Sequence, residues 1–352
     1  MGRTPSGRRD SSLRSRFEWE DLPEERLLDV RVCDLKVTLE DSELGWRVSQ
    51  LHEELGAKGV AFRPHCWLSN EWFTPVGVPG IAIPFYLAHP RLKQLEEKLM
   101  LEAEGGTKGE CMKILRHEAG HAIQNAYRLN RRRRWRELFG TSATPYPETY
   151  QPRPYSRRFV LHIDHWYAQA HPDEDFAETF AVWLTPSSHW RRRYRTWPAI
   201  RKLEYVDQLM REIASRPAPV RSRSMPDSLR TIRHTLREHY RDRQARYAED
   251  YPDFFARDLR RLFSDDPGTG ALSAATYLRR TRPQMLRVVS RWTGQYQYTI
   301  DQVYRDMIDS CEELGLRVPR DANLAGLSRE LAVLLTVQTM SHLHTGGHRL
   351  TL

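Results

Sequence analysis

Residues 105–129 read GGTKGECMKILRHEAGHAIQNAYRL, and the fold is decided here. Gly105-Gly106 breaks the charged stretch before it, and Thr107 with Glu110 forms a T-x-x-E capping box. From Lys108 to about Leu129 there is no proline, and Met112, Leu115, Ala119, Ala122, Ile123 and Ala126 recur at helical spacing. The pattern predicts one long helix with His117-Glu118-Ala119-Gly120-His121 well inside it.

That string is an H-E-x-x-H motif. Residues four apart are rotated by only ~40° on a helix, so both imidazoles leave one face and can share a tetrahedral ion. Glu118 lies ~100° away from His117, placed to meet a metal-activated water rather than the metal. Zinc would lower the pKa of that water towards ~7, and the carboxylate could take its proton. The bland alternative is a chance string in a chain with 14 histidines. A capped, unbroken and largely apolar helix around it argues for the metal.

Two histidines leave zinc short of a third protein ligand. The metzincin pattern needs Gly and His three and six residues after the second His, where Gln124 and Tyr127 stand, so that class is excluded. The gluzincin pattern needs an acid on a later helix, and residues 171–184, HPDEDFAETFAVWL, supply it. Glu174 and Glu178 fall one turn apart on one face. Glu174 is the expected zinc ligand, and Glu178 the acid that holds an imidazole in its tautomer. Asp173 and Asp175 read as first-turn acids complementing the helix dipole. His162, His165 and His171 are competing ligands, and Asp164 is a further nearby acid.

Taken together, LRHEAGH at 115–121, LFG at 138–140 and YAQAHPDEDFAETFAVWL at 167–184 resemble the bacterial family of zinc-binding metallopeptidases. The E-x-F-A segment is also similar to the third-ligand helix of the anthrax lethal factor and Mlc titration factor peptidases. The resemblance covers about residues 80–210. It implies a zincin-like fold, bound Zn2+, hydrolysis of peptide bonds and Glu174 as the third ligand. It further implies that Tyr167, seven residues before Glu174, donates to the developing oxyanion.

Outward from the motif, residues 1–25 are rich in Arg, Ser and Gly and read as a flexible tail without the apolar core of a secretory signal. Alternation over Val30–Leu39 suggests a strand, and Trp46–Leu55 an amphipathic helix. GIAIPFYLAH at 80–89 reads as a strand confined to a sheet edge by Pro84, with Ile81 and Ile83 offered for β-addition of an extended peptide. Arg131–Arg134, within RRRRWR, reads as a solvated helix end. Residues 141–158 read as a long loop. The expected organisation is a zincin-like domain over 26–215, a linker over 216–227 and a helical region over 228–352. In the last, helices are expected near 228–248, 251–264, 274–291, 299–314 and 326–343. His342, His344 and His348 read as part of a flexible end. The fold class is thus α+β with a mostly helical C-terminal region.

Composition narrows the partners. No apolar run approaches the ~20 residues a membrane helix needs. Cys33, Cys66, Cys111 and Cys311 form no CxxC pair and read as free thiols, which suits a cytoplasmic protein. The formal charge is +9, but 48 arginines against 7 lysines is a bias of a GC-rich genome more than of phosphate recognition. The expected partner is a peptide or protein substrate. Two rival readings stand beside it: a non-proteolytic zinc-bound regulatory or binding protein on a zincin scaffold, and an Arg-rich nucleic-acid-binding protein using Arg131–Arg134.

Overall fold

A computed structural model of the chain describes residues 17–147, 150, 153, 156–247, 255–266, 272–320 and 322–345. The molecule is mostly helical, with a single two-stranded parallel sheet among the described residues, an arrangement compatible with the α+β class. No described helix is long and apolar enough to cross a membrane. The residues expected to form the N-terminal tail lie mainly outside the described ones, as do His348 and the side chains of His342 and His344.

The motif helix spans Lys108–Tyr127 and begins on the capping box, with both Thr107–Glu110 hydrogen bonds made. Its partner is the acidic helix Pro172–Leu184, which opens on proline at its first position, where no N–H is required. Every residue from Glu174 to Leu184 is buried, so this is a central helix, its polar side chains paired within the protein. Phe176 stands in an aromatic layer with Trp135 and Phe139, at centroid distances of 5.9 and 5.4 Å. On the far side, helix Ile200–Ile213 is tied to the acidic helix by the Lys202–Asp175 ion pair and by Trp183 Nε1 donating to Asp207 Oδ1 at 2.9 Å. Helix Glu43–Ala57 braces the motif helix through a two-pronged bond from Arg116 to Glu54, at 2.7 and 2.8 Å.

Several local expectations are corrected. No strand forms over Val30–Leu39. Val32–Asp34 is a short 3-10 turn, and Val32, Leu35 and Val37 bury themselves from irregular backbone. The strand at 80 is real but short: β2 is Gly80–Pro84, and it pairs in parallel with β1, His65–Ser69. It is not an open edge. Ala82 N donates to Phe73 O at 2.9 Å, so β2 has neighbours on two sides. Ile81 and Ile83 are wholly buried and cannot touch a peptide. Pro84 ends the strand, and Phe85–Ala88 turns into a 3-10 helix. The arginine run also behaves differently. The motif helix stops at Arg128 in the left-handed region, φ 51°, and Arg133–Phe139 starts a separate helix. Arg133 and Arg134 therefore stand in a first turn, where the dipole opposes them and Glu137 pairs with both.

The stretch read as a linker runs against the first core. Val220 N donates to Ala126 O, Trp67 Nε1 to Pro226 O and Ser69 Oγ to Asp227 O, at 3.1, 3.0 and 2.7 Å. The chain then contributes Leu229, Ile232, Leu236 and Tyr240 to that same core. A second core forms among helices Phe255–Leu262, Ala274–Thr293, Gln297–Glu313 and Leu324–Thr345, around Leu278, Val303, Met307, Leu331 and Leu335.

His239 supplies a test of the first core. It is buried against Phe85, stacked on His234 at 5.8 Å and faced by Arg243 and Arg246. Burial, then those cations, push its pKa from 6.5 down to about 3. Between these values the unfolded chain takes up a proton that the folded chain refuses, so acid removes stability as pH falls from 6.5 towards 3. His239→Leu is expected to flatten that loss by a few kcal/mol, at about 1.4 kcal/mol per pH unit. Urea melts at pH 7 and pH 4.5 check it, and equal acid losses in the two proteins would refute this role for His239.

Candidate metal centre

The site exists because two helices come closer than side chains normally allow. A Cβ added to Gly120 would meet Ala177 Cα at 2.7 Å and Ala177 O at 3.1 Å. Only glycine fits there. The approach sets the first turn of the acidic helix over the two motif histidines. Glu174 Oε2 then lies 3.0 Å from His117 Nε2 and 3.2 Å from His121 Nε2, and the two imidazole nitrogens are 3.1 Å apart.

That near-equilateral triangle of donors is what a tetrahedral zinc site demands. Zinc bonds of about 2.0–2.1 Å place ligand atoms roughly 3.3–3.4 Å apart along each edge. His117, His121 and Glu174 form the group able to hold a metal among the described residues. His117 and Glu174 are buried, and His121 is partly so. Glu118 is buried beside them, and its Oε2 has no hydrogen-bond partner. An orphaned carboxylate oxygen next to three convergent ligands suits a water at the centre, so the donor set fits the metal.

The supporting bonds fix each ligand. Glu178 Oε1 accepts a hydrogen bond from His117 Nδ1 at 2.9 Å, leaving Nε2 to face the triangle, and its Oε2 accepts from Ile163 N at 2.8 Å. Burial opposes a charge on His117, but the carboxylates of Glu174 and Glu178 override it and hold its pKa well above the ordinary histidine value. Burial likewise opposes ionisation of Glu174, and the two imidazoles outweigh it, drawing its pKa well below the usual carboxylate range.

Tyr167 sits in the 3-10 turn Asp164–Gln169, its ring 5.6 Å from that of His117. Burial and the charges of Glu174 and Glu118 raise its phenol well above 10, so it carries its proton at neutral pH. Two of the competing histidines are otherwise engaged. His162 bonds to Lys113 O at 2.8 Å. His171 caps the acidic helix, its Nδ1 accepting from Asp173 N at 3.1 Å. The His165 side chain lies outside the described residues. Asp164 pairs with Lys113 at the surface.

One residue at the site has no counterpart in the sequence reading. Tyr146 donates its hydroxyl to Glu174 Oε1 at 2.8 Å and stacks on His171 at 3.8 Å. Its local sequence is only a Pro- and Tyr-containing loop, and no periodicity links it to a glutamate 28 residues on.

Residues 111–192 match the family described as "Putative zinc-binding metallo-peptidase". The matched segment of this metallo-peptidase family holds all three convergent ligands, together with Glu118, Glu178, Tyr167 and Tyr146. No curated protein and no solved structure matches the chain. Within the arginine run inside the segment, Arg132 pairs with Glu212, and Arg133 and Arg134 share Glu137.

Gly120→Ala tests the helix contact. Helix propensity favours alanine by up to ~1 kcal/mol. Forcing a Cβ into the Ala177 backbone costs about 1–3 kcal/mol or more. The variant is expected to melt below the wild type and to bind metal more weakly. An unchanged melting temperature would show that the helices are not held at this separation.

Proposed function

We propose that the protein is a zinc-dependent metallopeptidase of the gluzincin type, on a zincin-like domain, acting on peptide or protein substrates. The observation that carries this reading is the donor triangle of His117, His121 and Glu174 with the partnerless Oε2 of Glu118 beside it. The family match over the same residues supports it.

Zinc, when bound, supplies a Lewis acid that polarises a carbonyl and makes water acidic enough to attack at neutral pH. The chain's own groups divide the remaining work. Glu118 takes a proton from the attacking water on its free oxygen and passes it to the leaving amine. Tyr167, protonated at neutral pH and beside His117, donates to the oxyanion as it develops, a contribution of about 3–4 kcal/mol for such donors. Glu178 keeps the His117 proton on Nδ1 so that Nε2 offers its lone pair to the metal.

Elemental analysis of identically purified proteins is the direct test. Wild type is expected to carry one zinc per chain, and Glu174→Ala to lose most of it. Glu118→Gln should retain zinc while peptide hydrolysis drops by roughly 10²–10⁴-fold. Zinc-free wild type that takes up none on titration would overturn the metal reading. Undiminished hydrolysis by Glu118→Gln would overturn the assignment of the base.

A further inference from the structure

The two oxygens of Glu174 have separate occupations. Oε2 faces both imidazoles at 3.0 and 3.2 Å, while Oε1 accepts the Tyr146 phenol at 2.8 Å. Tyr146 is half-exposed and makes one further contact of its own, on a ring that is itself fastened to the chain around it. Its ring lies on His171 at 3.8 Å with an interplanar angle of 17°. His171 is pinned on both ring nitrogens, Nδ1 accepting from Asp173 N and Nε2 donating to Thr144 O at 2.8 Å. Ser142 Oγ donates to Asp173 Oδ2, also at 2.8 Å. The strap over residues 142–146 is therefore fastened to the same helical turn that carries Glu174.

We propose that Tyr146 is a positioning residue that makes Glu174 a one-oxygen ligand. A free carboxylate can close on a metal with both oxygens. A phenol hydrogen bond to Oε1 makes that costly, because the bond must break before the second oxygen can turn inward. Glu174 then contributes Oε2 alone, and the fourth position stays open for water, as catalytic rather than structural zinc sites require. The inference rests on reading His117, His121 and Glu174 as a zinc site. It assigns Tyr146 a role distinct from that of Tyr167, whose ring lies 5.6 Å from that of His117.

The test is Tyr146→Phe, which keeps the ring stacked on His171 and removes only the hydroxyl. Zinc affinity is measured by chelator competition, and coordination by the visible absorption of the cobalt(II)-substituted protein. Tyr146→Phe is expected to weaken zinc binding roughly 10–100-fold. Its cobalt bands should lose intensity as the ion moves from four ligands to five. Tyr167→Phe should match the wild type in both readouts. A Tyr146→Phe protein with wild-type zinc affinity and cobalt bands would overturn the inference and leave the metal site standing. A wild type that binds neither metal would overturn the metal site, and the role of Tyr146 with it.

Discussion

The backbone contact between Gly120 and Ala177 is the constraint on which the site depends. An ordinary interhelical distance of 8–10 Å is set by side chains at the crossing. Here one helix contributes no side chain and the other only a methyl, so the two backbones meet. The separation fixes how far Glu174 Oε2 stands from His117 and His121. The aromatic layer of Trp135, Phe139 and Phe176 and the Lys202–Asp175 pair hold the acidic helix in place.

Burying Glu174 and Glu178 beside two histidines is expensive, since removing an ion from water costs several kcal/mol even after relaxation. The structure offsets this by giving nearly every oxygen a partner. Glu178 takes His117 and a backbone N–H, and Glu174 takes both imidazoles and Tyr146. Among Glu118, Glu174 and Glu178, Glu118 is the exception, with Oε2 buried and without a hydrogen bond. An uncompensated polar atom of that kind is tolerated where chemistry uses it.

The second core is assembled differently. Its helices bury Asp301 completely beneath two partly exposed arginines, Arg282 and Arg305, with no metal-ligating neighbours among the described residues. The first core also reaches further along the chain than composition suggests. Proline and serine between 215 and 228 look like a tether, yet their backbone carbonyls take side-chain hydrogen bonds from β1. Composition reports what a segment cannot bury by itself. It does not report that another strand offers it donors.

The sequence by itself determined the two helices of the site nearly to the residue. A capping box, an unbroken 3.6-residue period and a proline at a first helical position are local signals. It also put His117 with His121, and Glu174 with Glu178, each pair on one helix face, since i, i+4 spacing does this without any tertiary information, while the link between the two pairs came from the family pattern. Only the tertiary structure decided the rest. Val30–Leu39 alternates like a strand but has no strand beside it, so it buries its apolar residues from a turn. GIAIP reads as an edge because of Pro84, but Phe73 returns to cover it. His171 is a cap and a platform, not a ligand, because Thr144 and Asp173 occupy its nitrogens. Tyr146 reaches Glu174 across a loop with no periodicity, and such a contact is set by where the chain returns in space, which local spacing cannot encode.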